Sequence, residues 1–142
     1  MEPNFQNGDY LIVDEISYRL RTPQRGEVIV FKYPANPSQK YIKRIIGLPG
    51  ETVEIQAGKV DIYDSNGVPQ ILDERYLPDF LETYGDVELR LSDSEYFVLG
   101  DNRTASSDSR RWGSVPRDNI IGKVFLRVWP FAALAMIEAP DY

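Results

Sequence analysis

The 142-residue chain contains no histidine and no cysteine. The first absence removes the commonest general base and a leading metal ligand. The second excludes disulfides and thiolate metal sites and leaves the redox compartment undetermined. Carboxylate sites for calcium or magnesium are all that stays open, and nothing in the sequence calls for a metal or a cofactor. If the chain does nucleophilic chemistry, a Ser/Lys arrangement is the natural candidate. Long apolar runs are missing too. The longest, Phe131 to Ile137, falls far short of the ~20 residues that span a bilayer. The opening Met1-Glu2-Pro3-Asn4 has neither the basic region nor the apolar core of a signal peptide. Taken literally, the chain reads as soluble. Cationic excess is also absent. The formal net charge is −6, which argues against a nucleic-acid partner, because duplex binding needs clustered Lys and Arg.

Short apolar runs and period-2 patterns dominate what is present, and helical periodicity is scarce. Strands are predicted at Tyr10–Asp14, Glu27–Tyr33, Tyr41–Gly47, Thr52–Gln56, Lys59–Tyr63, Val87–Leu91, Tyr96–Leu99 and Ile121–Val128, with a last one at Ala133–Ile137. Gly, Pro, Asn and Asp punctuate them. Ala57-Gly58 reads as a hairpin turn, and Asp64 to Gly67 as another. A short helical turn is expected only within Arg75–Tyr84, where Pro78 interrupts it. The expected fold class is all-β, with coiled antiparallel sheets. One domain, 1–142, is expected, carrying a more acidic and motif-poor insertion at about 57–92. A chain of this size buries about 68–70% of its unfolded surface and needs no staple.

Two runs carry the chemistry. Gly100-Asp101-Asn102-Arg103-Thr104-Ala105-Ser106-Ser107-Asp108-Ser109-Arg110-Arg111-Trp112-Gly113 mixes glycine, hydroxyls, carboxylates and guanidinium groups, which is loop chemistry. Tyr41-Ile42-Lys43-Arg44-Ile45-Ile46 puts one lysine in strongly apolar company. Strand alternation sends Tyr41, Lys43 and Ile45 to one face and Ile42, Arg44 and Ile46 to the other. A lysine serves as a base only when neutral. Bringing its pKa from ~10.4 to ~7–8 takes about 4 kcal/mol, a shift that apolar burial supplies. A carboxylate touching Lys43 would oppose it. Asp101 and Asp108 are therefore expected to pair with arginines, Asp101 with Arg44 and Asp108 with Arg110. The bland reading of Lys43 is a strand lysine whose amine reaches water. That of Ser106 is a turn serine bonding its own backbone.

Read together, Met1-Glu2-Pro3-Asn4-Phe5 with Gly8-Asp9, Arg25-Gly26-Glu27-Val28-Ile29-Val30-Phe31, Tyr41-Ile42-Lys43-Arg44 to Gly50, and Gly100-Asp101-Asn102-Arg103 to Arg110 resemble bacterial type I signal peptidase. The four boxes stand in that family's order and cover all but residues about 57–92. The resemblance implies a membrane-tethered serine endopeptidase with a Ser/Lys dyad. It would remove signal peptides from exported preproteins on the outer face of the cytoplasmic membrane. It assigns the general base to Lys43 and the hydroxyl that orients it to Ser106. Arg44, Asp101, Asp108 and Arg110 become structural supports. In the family the nucleophilic serine directly precedes the Met-x-Pro motif. Here Met1 opens the sequence, so the serine position and the membrane helix would both precede it. The chain as written is then expected to be inactive, without part of its oxyanion hole.

The family's substrate adds as a strand beside the lysine strand and the Met-x-Pro segment. The resemblance puts the pocket walls at Met1, Pro3, Phe5, Leu11, Val30, Tyr41 and Ile42, shallow and apolar to suit an Ala-x-Ala pattern. Each of these is otherwise an ordinary core residue. The segment Phe125–Phe131, followed by Ala132 to Ile137, is apolar enough to lie on a membrane surface or to form a final pair of core strands. Two other readings stay open: a self-cleaving repressor, for which the acidic chain shows no DNA-binding head, and a non-catalytic peptide-binding pseudoenzyme of the same fold.

Overall fold

The computed structural model describes residues 1, 2, 4–129 and 135–140. Among them, strands β1 (Tyr10–Asp14), β2 (Val28–Tyr33), β3 (Asn36–Gly47), β4 (Thr52–Gln56), β5 (Lys59–Tyr63), β6 (Pro69–Gln70), β7 (Val87–Arg90), β8 (Glu95–Leu99), β9 (Val115–Pro116), β10 (Ile120–Trp129) and β11 (Ala135–Met136) build two antiparallel sheets. The larger runs β1-β10-β2-β3-β8-β9, with β11 beside β10. The smaller runs β6-β5-β4-β7. The all-β expectation holds.

Side-chain alternation sorts the apolar residues into three clusters. Ile29 and Phe31 of β2, Ile45 of β3, and Tyr96 and Val98 of β8 share one face with Tyr18, Val115 and Ile120. Phe97 and Leu99 of β8 and Ile46 of β3 point the other way. They meet Val53, Ile55 and Ile62 of the small sheet and Leu91. Phe5, Val28 and Val124 form the third cluster, with Met1, Leu11, Val30, Ile42 and Ile137 packed against it. Continuous apolar runs such as Tyr96-Phe97-Val98-Leu99 arise because both faces of β8 are buried.

Ala57 and Gly58 both take positive φ, 51° and 81°, in a two-residue loop between Gln56 and Lys59. That geometry matches the twist of a tight hairpin. Asp64 to Gly67 turns as expected, with Gly67 N–H on the Asp64 carbonyl. Strand β3 starts at Asn36, five residues ahead of the expectation, because Tyr33 and Asn36 pair directly across Pro34-Ala35. The expected helical turn at Arg75–Tyr84 does not form. Leu77 N–H bonds Glu74 and Leu81 N–H bonds Pro78 as separate turns, because Pro78 has no N–H to continue a helix. Among the described residues the short helices are instead α1 (Ser17–Leu20), α2 (Ser109–Trp112) and a 3-10 turn at Arg117–Asn119. Asp108 caps α2 by accepting from the Arg110 N–H at 3.3 Å. Of the expected last strand, Ala133 and Leu134 lie outside the described residues, as do 130–132.

Candidate active site

Strand β3 is paired on one edge along its length, from Asn36 against Tyr33 to Arg44 against Val28. On its other edge β8 begins only at Arg44, opposite Leu99. Among the described residues no strand pairs with that edge from Asn36 to Lys43. A cleft of about 550 Å³ opens there. Met1, Phe5, Leu11, Tyr41, Ile42, Lys43, Ala105 and Ser106 are among the residues that line it.

Lys43 sits where the paired part of β3 ends. Its amine lies 5.9 Å from the centre of the Tyr41 ring, consistent with both residues sharing a strand face. Burial pushes the ammonium below the ordinary lysine value, and the charges of Asp108 and Asp101 oppose that only in part. Neither carboxylate forms an ion pair with Lys43. Arg44 claims Asp101 through Nε and Nη2, at 2.9 and 2.8 Å. Arg110 claims Asp108 in the same two-pronged way, each bond at 2.8 Å. Both carboxylates are fully buried. These are the two pairings the sequence led us to expect.

Asp108 also accepts the Gly100 N–H at 3.1 Å. Burial works against its charge, but the Arg110 bonds and the Gly100 N–H outweigh that and hold it below the usual carboxylate range. The nearby Ser106 hydroxyl adds a weaker pull in the same direction. It is buried and makes no hydrogen bond of normal geometry with a described residue. Buried polar groups are rarely left so. Gly100 marks how close the parts stand. A Cβ there would lie 2.1 Å from Ser106 Oγ and 3.7 Å from Lys43 Cδ. The lysine stem and the serine hydroxyl therefore flank the same small space.

Of the expected pocket walls, Met1, Phe5, Leu11, Tyr41 and Ile42 line the cleft with Lys43 and Ser106. Val30 is not among the lining residues; it pairs with Ile42 across the ladder and packs in the same cluster. Pro3 lies outside the described residues. Met1 and Lys43 line the same cleft, and burial, then the Lys43 charge, lower the pKa of the Met1 amino group.

Residues 1–129 match the family described as signal peptidase, peptidase S26. This chain belongs to that family. It is 44% identical to a probable signal peptidase I-2 of Synechocystis over 96% of this chain and 62% of that protein. It is 38% identical to a signal peptidase I of Bacillus caldolyticus, over 95% and 78%. The chain thus spans less than two thirds of the Synechocystis relative's length. A crystal structure of a signal peptidase I from Enterococcus faecalis superposes with a TM-score of 0.57 at 36% identity, covering 73% of this chain and 97% of that one. The S26 relationship agrees with the box order in the sequence and with the coiled antiparallel sheets.

Sequence reasoning missed several groups around the site. The Asn4 side-chain amide donates to Asp101 at 2.7 Å and to the Tyr76 carbonyl at 3.3 Å. Tyr76 lays its ring 4.0 Å from the Arg44 guanidinium carbon. Glu74 and Thr83 bind Arg103. Arg103 was visible in the Gly100 run. Nothing in the local pattern of residues 74–83 signalled a long-range partner.

Proposed function

We propose that this chain is the peptide-cleaving region of a Ser/Lys endopeptidase that removes signal peptides from exported preproteins. Lys43 is the general base and Ser106 positions its amine. One observation carries the reading: a half-buried lysine and a buried serine hydroxyl line one cleft and flank Gly100, with both neighbouring carboxylates already taken by arginines. Such burial favours the neutral amine that a general base needs. The nucleophilic hydroxyl belongs to a serine joined to the Met1 nitrogen, a position that the nearness of Met1 to Lys43 supports. Attack by that oxygen on the scissile carbonyl passes its proton to the lysine amine, which returns it to the leaving amine. The bare edge of β3 from Asn36 to Lys43 suits an extended substrate added as a strand. Met1, Phe5, Leu11, Tyr41 and Ile42, which line the cleft, then shape shallow pockets for small side chains.

In the intact protein we place the catalytic region at the outer face of the cytoplasmic membrane. Among the described residues no helix is long and apolar enough to cross a membrane. Residues 57–92 are read as an insertion on the same domain. The test is cleavage of an Ala-x-Ala peptide by the chain extended upstream through a serine, in lipid or detergent. We expect turnover that Lys43→Ala abolishes. Peptide binding without turnover in the extended chain would favour the non-catalytic binding module.

A further inference from the structure

The reading above leaves residues 57–92 without a role, yet they hold the partners of the most deeply buried cation. The Arg103 side chain is 0% exposed. A guanidinium withdrawn from water is costly unless its donors are satisfied, and it has five. All five find acceptors. Nη1 donates to Glu74 Oε2 at 3.1 Å and to the Thr83 hydroxyl at 2.5 Å. Nη2 donates to Glu74 Oε1 and to the Tyr76 hydroxyl. Nε donates to the Gly100 carbonyl at 3.2 Å. Four of these bonds come from one stretch of chain, and the fifth ends on the residue that Lys43 and Ser106 flank. With its N–H on Asp108, Gly100 is held from both sides. The same stretch reaches the site again through Tyr76, whose ring covers Arg44 and whose carbonyl holds Asn4.

We propose that the segment from Glu74 to Thr83 is a positioning element of the site: it clamps Arg103, and Arg103 holds the Gly100 carbonyl so that the backbone wall shared by Lys43 and Ser106 stays closed. This deepens the Ser/Lys reading and rests on it for the catalytic consequence. A merely structural brace would lower stability and leave the site unchanged. A positioning brace also sets how much water reaches the amine. Lys43 is faced by Asp101, Asp108, the Met1 amino group and the Tyr41 ring. Tyr76→Phe and Thr83→Val alter no charge at neutral pH, so their effect on Lys43 must pass through structure.

The experiment is NMR on this chain and on the Tyr76→Phe/Thr83→Val variant, with Tyr76→Phe alone as the milder form should the double variant not fold. Two signals are read in the folded state: hydrogen exchange of the Gly100 amide and titration of the Lys43 amine. We expect faster Gly100 exchange, measured against core amides such as Ile29, and an upward shift of the Lys43 titration as water enters. Thr83→Ser, which keeps the hydroxyl, should leave both signals at their original positions. Unchanged Gly100 exchange and unchanged Lys43 titration, with only the melting temperature lowered, would overturn the proposal. An ordinary lysine titration in the unaltered chain sinks the general-base reading instead, and Gly100 exchange then still decides on the brace.

Discussion

A Cβ on Gly100 would stand 2.1 Å from Oγ of Ser106 and 2.6 Å from its Cβ. Glycine is required here by space, since the closest neighbour is the serine that shares the site with Lys43. Gly100→Ala must push the Ser106 loop away. The strand end can absorb that, so the fold should survive with a loss of about 1–3 kcal/mol, typical of overpacking. Activity of the serine-extended chain should fall far more steeply than this stability loss implies. Denaturant unfolding and peptide cleavage on the same variant check the contrast. Cleavage near the normal rate would mean that the position of Ser106 is immaterial.

The two site residues should not be equivalent. On the proposed reading Lys43 exchanges a proton with the reacting groups, so in the serine-extended chain Lys43→Ala should cost at least ~10²–10⁴-fold in turnover. On the same reading Ser106 acts through the lysine, so Ser106→Ala should cost less and move the acid limb of the pH–rate profile. The direction follows from the causes now acting on Lys43. Burial lowers its pKa, Asp108 and Asp101 raise it, and a small side chain at 106 lets water in. The profile should shift to higher pH. An unmoved profile with lowered turnover would indicate that Ser106 touches the substrate and not the base.

Much of this was legible in the sequence because the information was local. Period-2 alternation located most of the strands, and the four boxes kept their order along the chain. The Asp101–Arg44 and Asp108–Arg110 pairs followed from putting carboxylates and guanidinium groups beside a lysine that must stay neutral. What was not legible depended on distant partners. Glu74, Tyr76 and Thr83 lie in a stretch with no periodicity, and their acceptors matter only because Arg103 is folded beneath them. The misplaced helical turn has the same origin: residues 75–84 follow their tertiary bonds and the missing Pro78 N–H. The short helix at Ser109–Trp112 was hidden because its cap, Asp108, was read for its ion pair alone.

Gly47 ties the two sheets together. It lies at the register shift between β3 and β8. A Cβ there would meet Val53 Cγ2 at 2.5 Å, Leu91 Cδ1 at 2.9 Å and Phe97 Cβ at 3.0 Å, all in the cluster between the sheets. Gly47→Ala should destabilise the fold by about 1–3 kcal/mol through overpacking. It should leave the folded-state titration of Lys43 unchanged, because none of those contacts belongs to the cleft. A denaturant midpoint that does not fall would show that the small sheet is loosely seated. A Lys43 shift would show that the sheet junction is coupled to the site.

Acid should weaken the fold in part through Asp108. Its folded-state pKa lies below the ordinary carboxylate value of ~3.9. Between the two values the unfolded chain binds more protons, so stability falls with falling pH. The contribution is complete above the ordinary value and is lost as pH drops through the depressed folded one. Glu27 is also buried, but bonds from Arg21, Gln24 and Tyr18 outweigh its desolvation and lower its pKa, so it acts in the same direction. Asp108→Asn keeps the shape and removes the charge, leaving the Arg110 side chain, 10% exposed, without its carboxylate. Breaking a buried pair in this way costs about 3–5 kcal/mol at neutral pH. Stability of the variant and of the unaltered chain, measured by denaturant from about pH 7 down to about pH 2, should converge as Asp108 is protonated. A gap that stays constant over that range would mean that the variant loses packing and not charge. The same substitution removes the charge that most opposes Lys43 desolvation, so the Lys43 titration should move to still lower pH.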